Sequence, residues 1–152
     1  MTSPFVVAEE TRKRITTDHA VLRGIGRALV AAAEAAAYDE RQRTLVEDIL
    51  EQLCNEIRIH LEYEERVLVP ILRVADAWGP VRVEELAKEH AEQRAVIASL
   101  LERGVECDIG ELAGQISAFT ERLERDIDEE EREMLSSEAM GDRIVVVDQI
   151  DG

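Results

Sequence analysis

Residues 53–71, which read LCNEIRIHLEYEERVLVPI, contain the pattern that decides the fold. Leu53, Ile57, His60, Glu64 and Leu68 follow one another at steps of three and four residues, the spacing of one face of an α-helix. A histidine and a glutamate therefore lie on a stripe that apolar side chains usually occupy. Ionisable groups on such a stripe are costly unless they are paired or bind a metal ion. The segment predicts a core helix that carries polar chemistry.

The same period recurs along most of the chain and predicts four amphipathic helices. Each helix has at least one ionisable residue on its apolar stripe. The predicted spans are about 9–37 for helix A, 40–75 for helix B, 83–103 for helix C and 109–137 for helix D. The ionisable stripe residues are His19 on helix A, His60 and Glu64 on helix B, His90 on helix C, and Asp126 and Glu130 on helix D.

Four such helices with short connections predict an all-α fold, an up-down-up-down four-helix bundle. The whole chain, 1–152, is interpreted as one domain, with the bundle at about 9–137 and a tail at 138–152. Pro70 is expected to kink or end helix B, and Gly104 is placed to cap helix C. Four β-branched residues, 144–147, predict an extended segment in the tail that packs on the bundle or on a second chain, as in a homodimer.

The acidic composition limits the partners. A chain of 152 residues carries 18 basic and 34 acidic side chains, a net charge of −16. This charge disfavours nucleic acid and anionic membranes as partners. No apolar run has the length of a membrane span, and no signal peptide is recognisable at the start. Cys54 and Cys107 lack CxxC spacing, so we expect reduced thiols and a cytoplasmic protein.

The two halves of the chain resemble each other. Asp18-His19-Ala20 with Arg23 matches Glu89-His90-Ala91 with Arg94. The segment from His60 to Arg66 likewise matches the segment from Asp126 to Arg132. Two helical hairpins related by a pseudo-twofold axis would bring the six stripe residues together on that axis.

The spacing of these residues suits a metal site. His60 and Glu64 stand four residues apart, as do Asp126 and Glu130, so each pair lies on one helix face. Imidazole and carboxylate together suit iron, manganese or zinc. Six groups are too many for a tetrahedral zinc with an open position and fit two metal ions, most plausibly iron. Arg94 either pairs with a carboxylate of the site or extends to the surface.

The order His, His-x-x-x-Glu, His, x-x-x-Glu on four helices resembles the hemerythrin-like, or HHE cation-binding, family, over roughly residues 10–137. That resemblance implies a non-haem di-iron centre, oxo- or hydroxo-bridged, that binds dioxygen or a related small ligand. It also implies the roles of the ligands. His19 and His60 would serve one iron, His90 with Asp126 the other, and Glu64 and Glu130 would bridge them.

The chain departs from that family at two positions. Asp126 stands where a histidine is usual, and Arg94 stands where many hemerythrins have a second helix C histidine. A carboxylate-rich site favours ferric iron, so reversible oxygen carriage is less expected than oxidase, peroxidase or catalase-like chemistry, or sensing of redox state or NO. Enzyme activity is left open, and so is a site with one metal ion.

Two other classes remain as alternatives. A ferritin-like di-iron oxidase would carry Glu-x-x-His pairs, which this chain lacks. A metal-poor bundle that serves as a regulatory or protein-interaction module would explain the aspartate at position 126, with the tail as its docking element. Metal content separates this module from the di-iron protein.

Overall fold

The computed structural model describes residues 4–103 and 107–142, with side chains from residue 6 onward, and this part of the chain is helical without a β-strand. The all-α prediction is therefore confirmed. None of these helices combines the length and the apolar character that crossing a membrane requires. The helices are α1 (Pro4–Tyr38), α2 (Arg43–Tyr63), α3 (Val69–Ala75), α4 (Gly79–Arg103), α5 (Ile109–Glu133) and α6 (Ser137–Met140). Gly104 lies outside the described residues.

Several helix ends differ from those predicted. α1 begins at Pro4 rather than near residue 9, and α4 begins at Gly79 rather than near residue 83. The predicted helix B begins as a short 3-10 turn, in which the Asp39 side chain accepts a hydrogen bond from the Arg41 N–H at 3.1 Å. α5 ends at Glu133, four residues short of the predicted end at position 137.

A π-helical turn, Glu64–Leu68, joins α2 to α3. The wider turn shifts the buried stripe beyond it by one residue. Leu72 is therefore buried, whereas Ile71, which the uninterrupted period places on the stripe, is half-buried. Pro70 does not end the helix as expected, because it lies in the first turn of α3, where its missing N–H costs no hydrogen bond.

The stripe of α4 also differs from the prediction in its second half. The helical period predicts that the stripe beyond His90 continues through Arg94 or Gln93, and then through Ile97 and Leu101. Gln93 and Leu100 are buried there, whereas Arg94 and Leu101 are exposed. The structure selects the neutral side chain for the interior and leaves the arginine in solvent, where its charge is hydrated.

Polar residues separate two apolar clusters of the core. The main cluster lies among α1, α2 and α5, and the second cluster joins α3, the start of α4, and α6. On α1, His19 stands between Ile15 of the second cluster and Leu22 of the main cluster. At three further points of the chain, a buried polar residue likewise stands between residues of the two clusters. These polar residues are Glu64, His90 and Glu130. These three residues, with His19 and His60, form what we call the polar layer.

The first residues of the predicted tail are helical rather than extended. Ser136 caps α6 by accepting a hydrogen bond from the Ala139 N–H at 3.1 Å, and Ala139 and Met140 are buried in the second cluster. Asp142 accepts hydrogen bonds of 2.9 Å from Arg12 of α1. Residues 137–142 thus pack against the start of α1. Buried apolar side chains and the ion pair between Arg12 and Asp142 stabilise this contact. The extended segment predicted at 144–147 lies outside the described residues.

Substituting Gly79 with alanine is expected to destabilise the fold. A Cβ atom there would lie 2.1 Å from the Leu72 carbonyl oxygen, a clash with backbone that a rotamer change does not relieve. Overpacking of this kind costs about 1–3 kcal/mol, and each kcal/mol lowers the melting temperature by about 2–4 °C in a chain of this size. Thermal unfolding followed by circular dichroism measures the effect.

Gly24→Ala is the control for this prediction. A Cβ atom at Gly24 meets nothing within 4 Å, and the position lies inside α1. Alanine is better than glycine in a helix by about 0.5–1 kcal/mol, so this variant is expected to melt slightly higher than the wild type. Equal melting temperatures for the two variants would contradict the close approach of α4 to α3.

Candidate metal centre

Four side chains of the polar layer converge on one point. Each of His19, His60, Glu64 and Glu130 offers a nitrogen or oxygen atom, and these atoms all lie within 4.8 Å of one another. All four side chains are buried, although they come from α1, α2, the π turn and α5. π turns within helices are frequent at functional sites, and this one begins at Glu64. The structure therefore brings together four of the six residues predicted from sequence.

Glu64 lies at the centre of the group, and its two oxygen atoms face different histidines. Oε1 contacts Nε2 of His60 and lies 4.0 Å from Nε2 of His19. Oε2 lies 3.1 Å from Nε2 of His90, the fifth predicted residue, which is supplied by α4. The Glu64 carboxylate thus contacts histidines of two different helices, one through each oxygen atom.

Three buried atoms at this point have no hydrogen-bond partner: His19 Nε2, Glu64 Oε1 and Glu130 Oε1. His19 Nε2 lies 3.1 Å from Glu130 Oε1, but the direction of approach does not make a hydrogen bond. Buried polar atoms are almost always satisfied, so three in one place require a reason. A metal ion that accepts their lone pairs would satisfy all three, and nitrogen and carboxylate oxygen suit iron, manganese or zinc.

A second set of carboxylates holds the outer nitrogen of each histidine. His19 Nδ1 lies 2.9 Å from Glu131, and His90 Nδ1 lies 2.9 Å from Glu65. His60 Nδ1 has a longer contact of 3.4 Å with Asp18. A carboxylate on one ring nitrogen orients the ring and makes the other nitrogen a better ligand, which is the usual arrangement around metal-bound histidines.

An arginine stands behind each of these outer carboxylates. Arg94 Nη1 lies 2.6 Å from Glu65, and Arg23 Nη1 lies 3.6 Å from Glu131. Arg14 Nε lies 3.1 Å from Asp18. Arg94 is thus exposed and at the same time linked to His90 through Glu65. The sequence left open whether Arg94 pairs with a carboxylate or extends to the surface, and in the structure it does both.

The outer carboxylates were not predicted from the sequence, although the sequence contains a signal for them. Asp18 directly precedes His19, Glu65 directly follows Glu64, and Glu131 directly follows Glu130. Each is one residue away from a stripe position, at the edge of the helix interface. Because acidic residues are abundant on all four predicted helices, adjacency alone did not distinguish these three from surface charges.

The pKa values in the polar layer show how strongly the groups interact. Burial lowers the pKa of His19, His60 and His90, but the neighbouring carboxylates outweigh burial and raise all three. Burial raises the pKa of Glu64, but the adjacent imidazoles of His60 and His90 outweigh burial and lower that pKa. Burial and the charge of Glu64 raise the pKa of Glu130. Without a metal ion, the histidines and carboxylates of the layer therefore act as each other's charge partners.

Asp126, the sixth predicted residue, lies at the edge of this group rather than in it. The buried stripe of α5 passes through Ile127 and Glu130, and Asp126 is only half-buried beside it. Asp126 accepts a hydrogen bond of 3.1 Å from Gln93 Nε2 and is not among the four converging residues. Glu89, which sequence analysis did not select, lines the small cavity at the centre, and burial together with Glu130 raises the pKa of Glu89 to about 8.

In the described part of the chain, helices bury three imidazoles and two carboxylates in one layer, an arrangement typical of helical metal-binding proteins. The family model described as "Hemerythrin HHE cation binding domain" matches residues 11–136. The chain therefore belongs to the hemerythrin HHE family, and the resemblance seen in the sequence is confirmed. Comparisons with curated proteins and with solved structures found no match.

Proposed function

We propose that this protein is a non-haem di-iron protein that binds or reacts with O2, peroxide or NO. The observation that carries the proposal is the position of Glu64, whose two oxygens face histidines on opposite sides. The three buried atoms without hydrogen-bond partners add to it. A carboxylate that faces histidines on both sides can bridge two cations that those histidines hold. The proposal includes an up-down-up-down bundle of four helical rods, in which α2, the π turn and α3 together form one rod.

The residues have separate tasks in this proposal. His19 and His60 would hold one ion and His90 would hold the other, with Glu64 and Glu130 between them. When bound, iron supplies a reversible change of oxidation state and free positions for a small ligand. The apolar clusters on both sides of the polar layer exclude water from that ligand. The outer carboxylates keep each imidazole in the orientation and tautomer that directs Nε2 inward.

The balance of ligands favours redox chemistry with peroxide or NO over reversible oxygen carriage. Three imidazoles face at least two carboxylates, and further acidic groups, Glu89 and Asp126, lie beside them. Negative charge near the ions stabilises ferric over ferrous iron, which lowers the reduction potential. A stable diferrous form, which oxygen carriage requires, is disfavoured for the same reason. We therefore propose oxidase, peroxidase, catalase-like or sensing chemistry rather than reversible oxygen carriage.

The setting follows from charge and cysteine content. A net charge of −16 disfavours nucleic acid and anionic membranes as partners, so the proposed partner is a small diatomic or peroxide ligand. Cys54 and Cys107 are free thiols, in keeping with a reducing compartment such as the cytoplasm. A homodimer through the C-terminal tail remains a proposal to be tested by the mass of the protein in solution.

A metal-poor interaction module is the second candidate. The observation that favours it is the position of Asp126, which replaces the usual histidine and lies outside the converging group. In this alternative the polar layer would be held together by histidine–carboxylate contacts alone. The raised pKa values of the three histidines would then keep them protonated as partners of Glu64 and Glu130.

Metal analysis after anaerobic loading with ferrous iron tests the proposed function. The protein is desalted, iron per chain is measured, and absorption spectra are recorded before and after exposure to air, peroxide or NO. Two irons per chain with a new charge-transfer band would support the di-iron protein. One iron would support a single-metal site, and no iron would favour the interaction module. A loaded protein that is inert to all three ligands would contradict the reactivity.

Removing an outer carboxylate is expected to weaken metal binding without removing a ligand. In Glu131→Ala, His19 loses the group that orients its ring. Such changes typically cost about 10–100-fold in metal affinity, which competition with a chelator of known affinity measures. The control is Glu129→Ala, which removes the same charge from an exposed position of α5. If both variants bind metal equally, Glu131 has no orienting role.

A further inference from the structure

We propose that Glu89 is a metal ligand of the second ion, at the position that the family resemblance gives to Asp126. This inference rests on the proposed di-iron function and specifies the acidic half of the site. It concerns the side of the polar layer where α4 faces α5. Neither the family match nor the spacing of the stripe residues assigns Glu89 a role.

The internal repeat of the chain gives the first argument. In one half, the inner group is His60 and the outer group that holds it is Asp18. The repeat aligns His60 with Asp126 and Asp18 with Glu89. At the inner position, the second half therefore has an aspartate, which is shorter than the histidine of the first half. At the outer position, it has a glutamate, which is longer than the aspartate of the first half. A shorter inner group leaves space next to the second ion that a longer outer group can reach.

The central cavity gives the second argument. Its walls include both ligand histidines of the first ion, His19 and His60, and the bridging pair, Glu64 and Glu130. Glu89 also lines this cavity, and Asp126 does not. Of Glu89 and Asp126, only Glu89 therefore borders the cavity that these four proposed ligands share. Asp126 instead accepts its hydrogen bond from Gln93 at the edge of the layer.

The lack of a cation near Glu89 gives the third argument. Within the part of the chain that the structure describes, neither Glu89 nor the bridging pair has an arginine or lysine within 4 Å. Glu89 has only a long hydrogen bond of 3.4 Å, from Gln93 Nε2. The exposed acidic residues around the site are mostly paired with arginines, as Glu65 is with Arg94. A positive charge would stabilise the ionised form of a half-buried carboxylate next to two buried ones, and a metal ion would provide that charge.

The amide of Gln93 fits the same arrangement. Its Nε2 donates to Glu89 Oε1 at 3.4 Å and to Asp126 Oδ2 at 3.1 Å, so one group holds both carboxylates in place. The aligned position in the first half is Leu22, a core residue. A polar side chain thus appears in the repeat only where two carboxylates must be oriented. Gln93 is the positioning residue of this half, as Asp18 is for His60.

The two ions would then have different surroundings. The first ion has two imidazoles, and the second has one imidazole, His90, and the carboxylate of Glu89. Carboxylate-rich sites suit hard cations such as Mn²⁺ and Fe³⁺ better than imidazole-rich sites do. Titration with Mn²⁺ or Fe²⁺ is expected to show two separate binding steps, and the step that Glu89 controls is the one in the acidic half.

Equilibrium titration of the full chain with Mn²⁺, read by EPR and by metal analysis, tests the assignment. Glu89→Gln is expected to lose the second binding step or weaken it by more than the roughly 10–100-fold that an outer group contributes, and to keep the first step. Asp126→Asn is expected to keep both steps. Glu85→Gln, an exposed residue of the same helix, is the control for the loss of charge.

The outcomes separate this inference from the proposed function. A wild-type protein that binds no metal would refute the di-iron proposal. A wild type with two steps and a Glu89→Gln variant with the same two steps would refute only the role of Glu89, as would loss of the second step in Asp126→Asn alone. If Glu89→Gln does not fold, as judged by circular dichroism, Glu89→Asp serves instead. It keeps the charge but withdraws the oxygen atoms, so an unchanged second step in that variant would overturn the assignment.

Discussion

The Glu64→Ala protein is expected to retain almost no iron after loading and desalting. Glu64 is the most buried acidic residue of the polar layer, at 0% exposure, and its oxygens lie next to the Nε2 atoms of His60 and His90. Loss of a bridge removes one ligand from each ion and also the negative charge that offsets both. The affinity of the two ions therefore falls together. Metal analysis of the desalted protein, beside the wild type, gives the measurement.

Two variants make this expectation specific to Glu64. Glu62→Ala, two residues earlier, removes an exposed carboxylate that pairs with Arg58, and it is expected to retain the wild-type amount of iron. Asp126→Ala is expected to lose less iron than Glu64→Ala, because Asp126 lies at the edge of the layer. Equal iron retention in Glu64→Ala and Asp126→Ala would contradict the bridging position. Circular dichroism of each variant shows whether the helices are intact.

The sequence was sufficient to predict the all-helical fold and the five ionisable residues that the polar layer buries. An apolar period of three to four residues sets which face of each helix is buried, and that period is visible without a structure. His19, His60 and His90 interrupt it at buried positions, where an ionisable group is costly unless it is paired or binds a metal ion. Glu64 and Glu130 follow the same logic, and all five are buried in the structure.

The details that depend on helix rotation could not be predicted in this way. The π turn from Glu64 to Leu68 adds a residue to one turn, and it buries Leu72 in place of Ile71. No periodicity foretells such a turn. On α5, a small rotation decides whether Asp126 or Ile127 faces the core, because both lie within one turn of the stripe. The period therefore predicts a long, regular helix, but it does not predict a local change of rotation.

Side-chain contacts between different helices could not be predicted from the sequence either. Glu131 reaches His19 from α5 to α1, and Glu65 reaches His90 from the π turn to α4. These contacts depend on which helices are neighbours and on their relative height. The internal repeat contains that information only after the two hairpins are placed together. Glu89 belongs to this group, since its role follows from the cavity it lines.

Glu130→Gln is expected to stabilise the chelator-treated protein and to weaken metal binding at the same time. Glu130 is 5% exposed, and its Oε1 has no hydrogen-bond partner. Without a bound cation, burial and the nearby Glu64 disfavour its ionised form and raise its pKa. Glutamine keeps the size of the side chain and removes the charge. Glutamine therefore removes the cost of ionising a buried carboxylate, and each kcal/mol gained raises the melting temperature by about 2–4 °C.

The gain depends on pH in a direction that follows from the raised pKa of Glu130. Below the ordinary pKa of 4.5, Glu130 is protonated in both the folded and the unfolded chain, so the substitution changes little. As the pH rises above 4.5, the unfolded chain ionises first, and the folded wild type loses stability relative to Glu130→Gln until the raised pKa is passed. The difference in melting temperature should therefore grow from pH 4 to pH 8. Glu129→Gln, on the exposed face of α5, should show no such growth.

The same experiment with iron present should reverse the order of stability. A bound metal ion stabilises the folded wild type by mass action, by about 4 kcal/mol at a concentration 1,000 times the dissociation constant. The Glu130→Gln variant gains less, because one of its two bridging carboxylates has been neutralised. A buried carboxylate that weakens the empty protein and strengthens the loaded one is retained for the metal and not for the fold. If iron raises the melting temperature of both proteins equally, Glu130 is not a ligand.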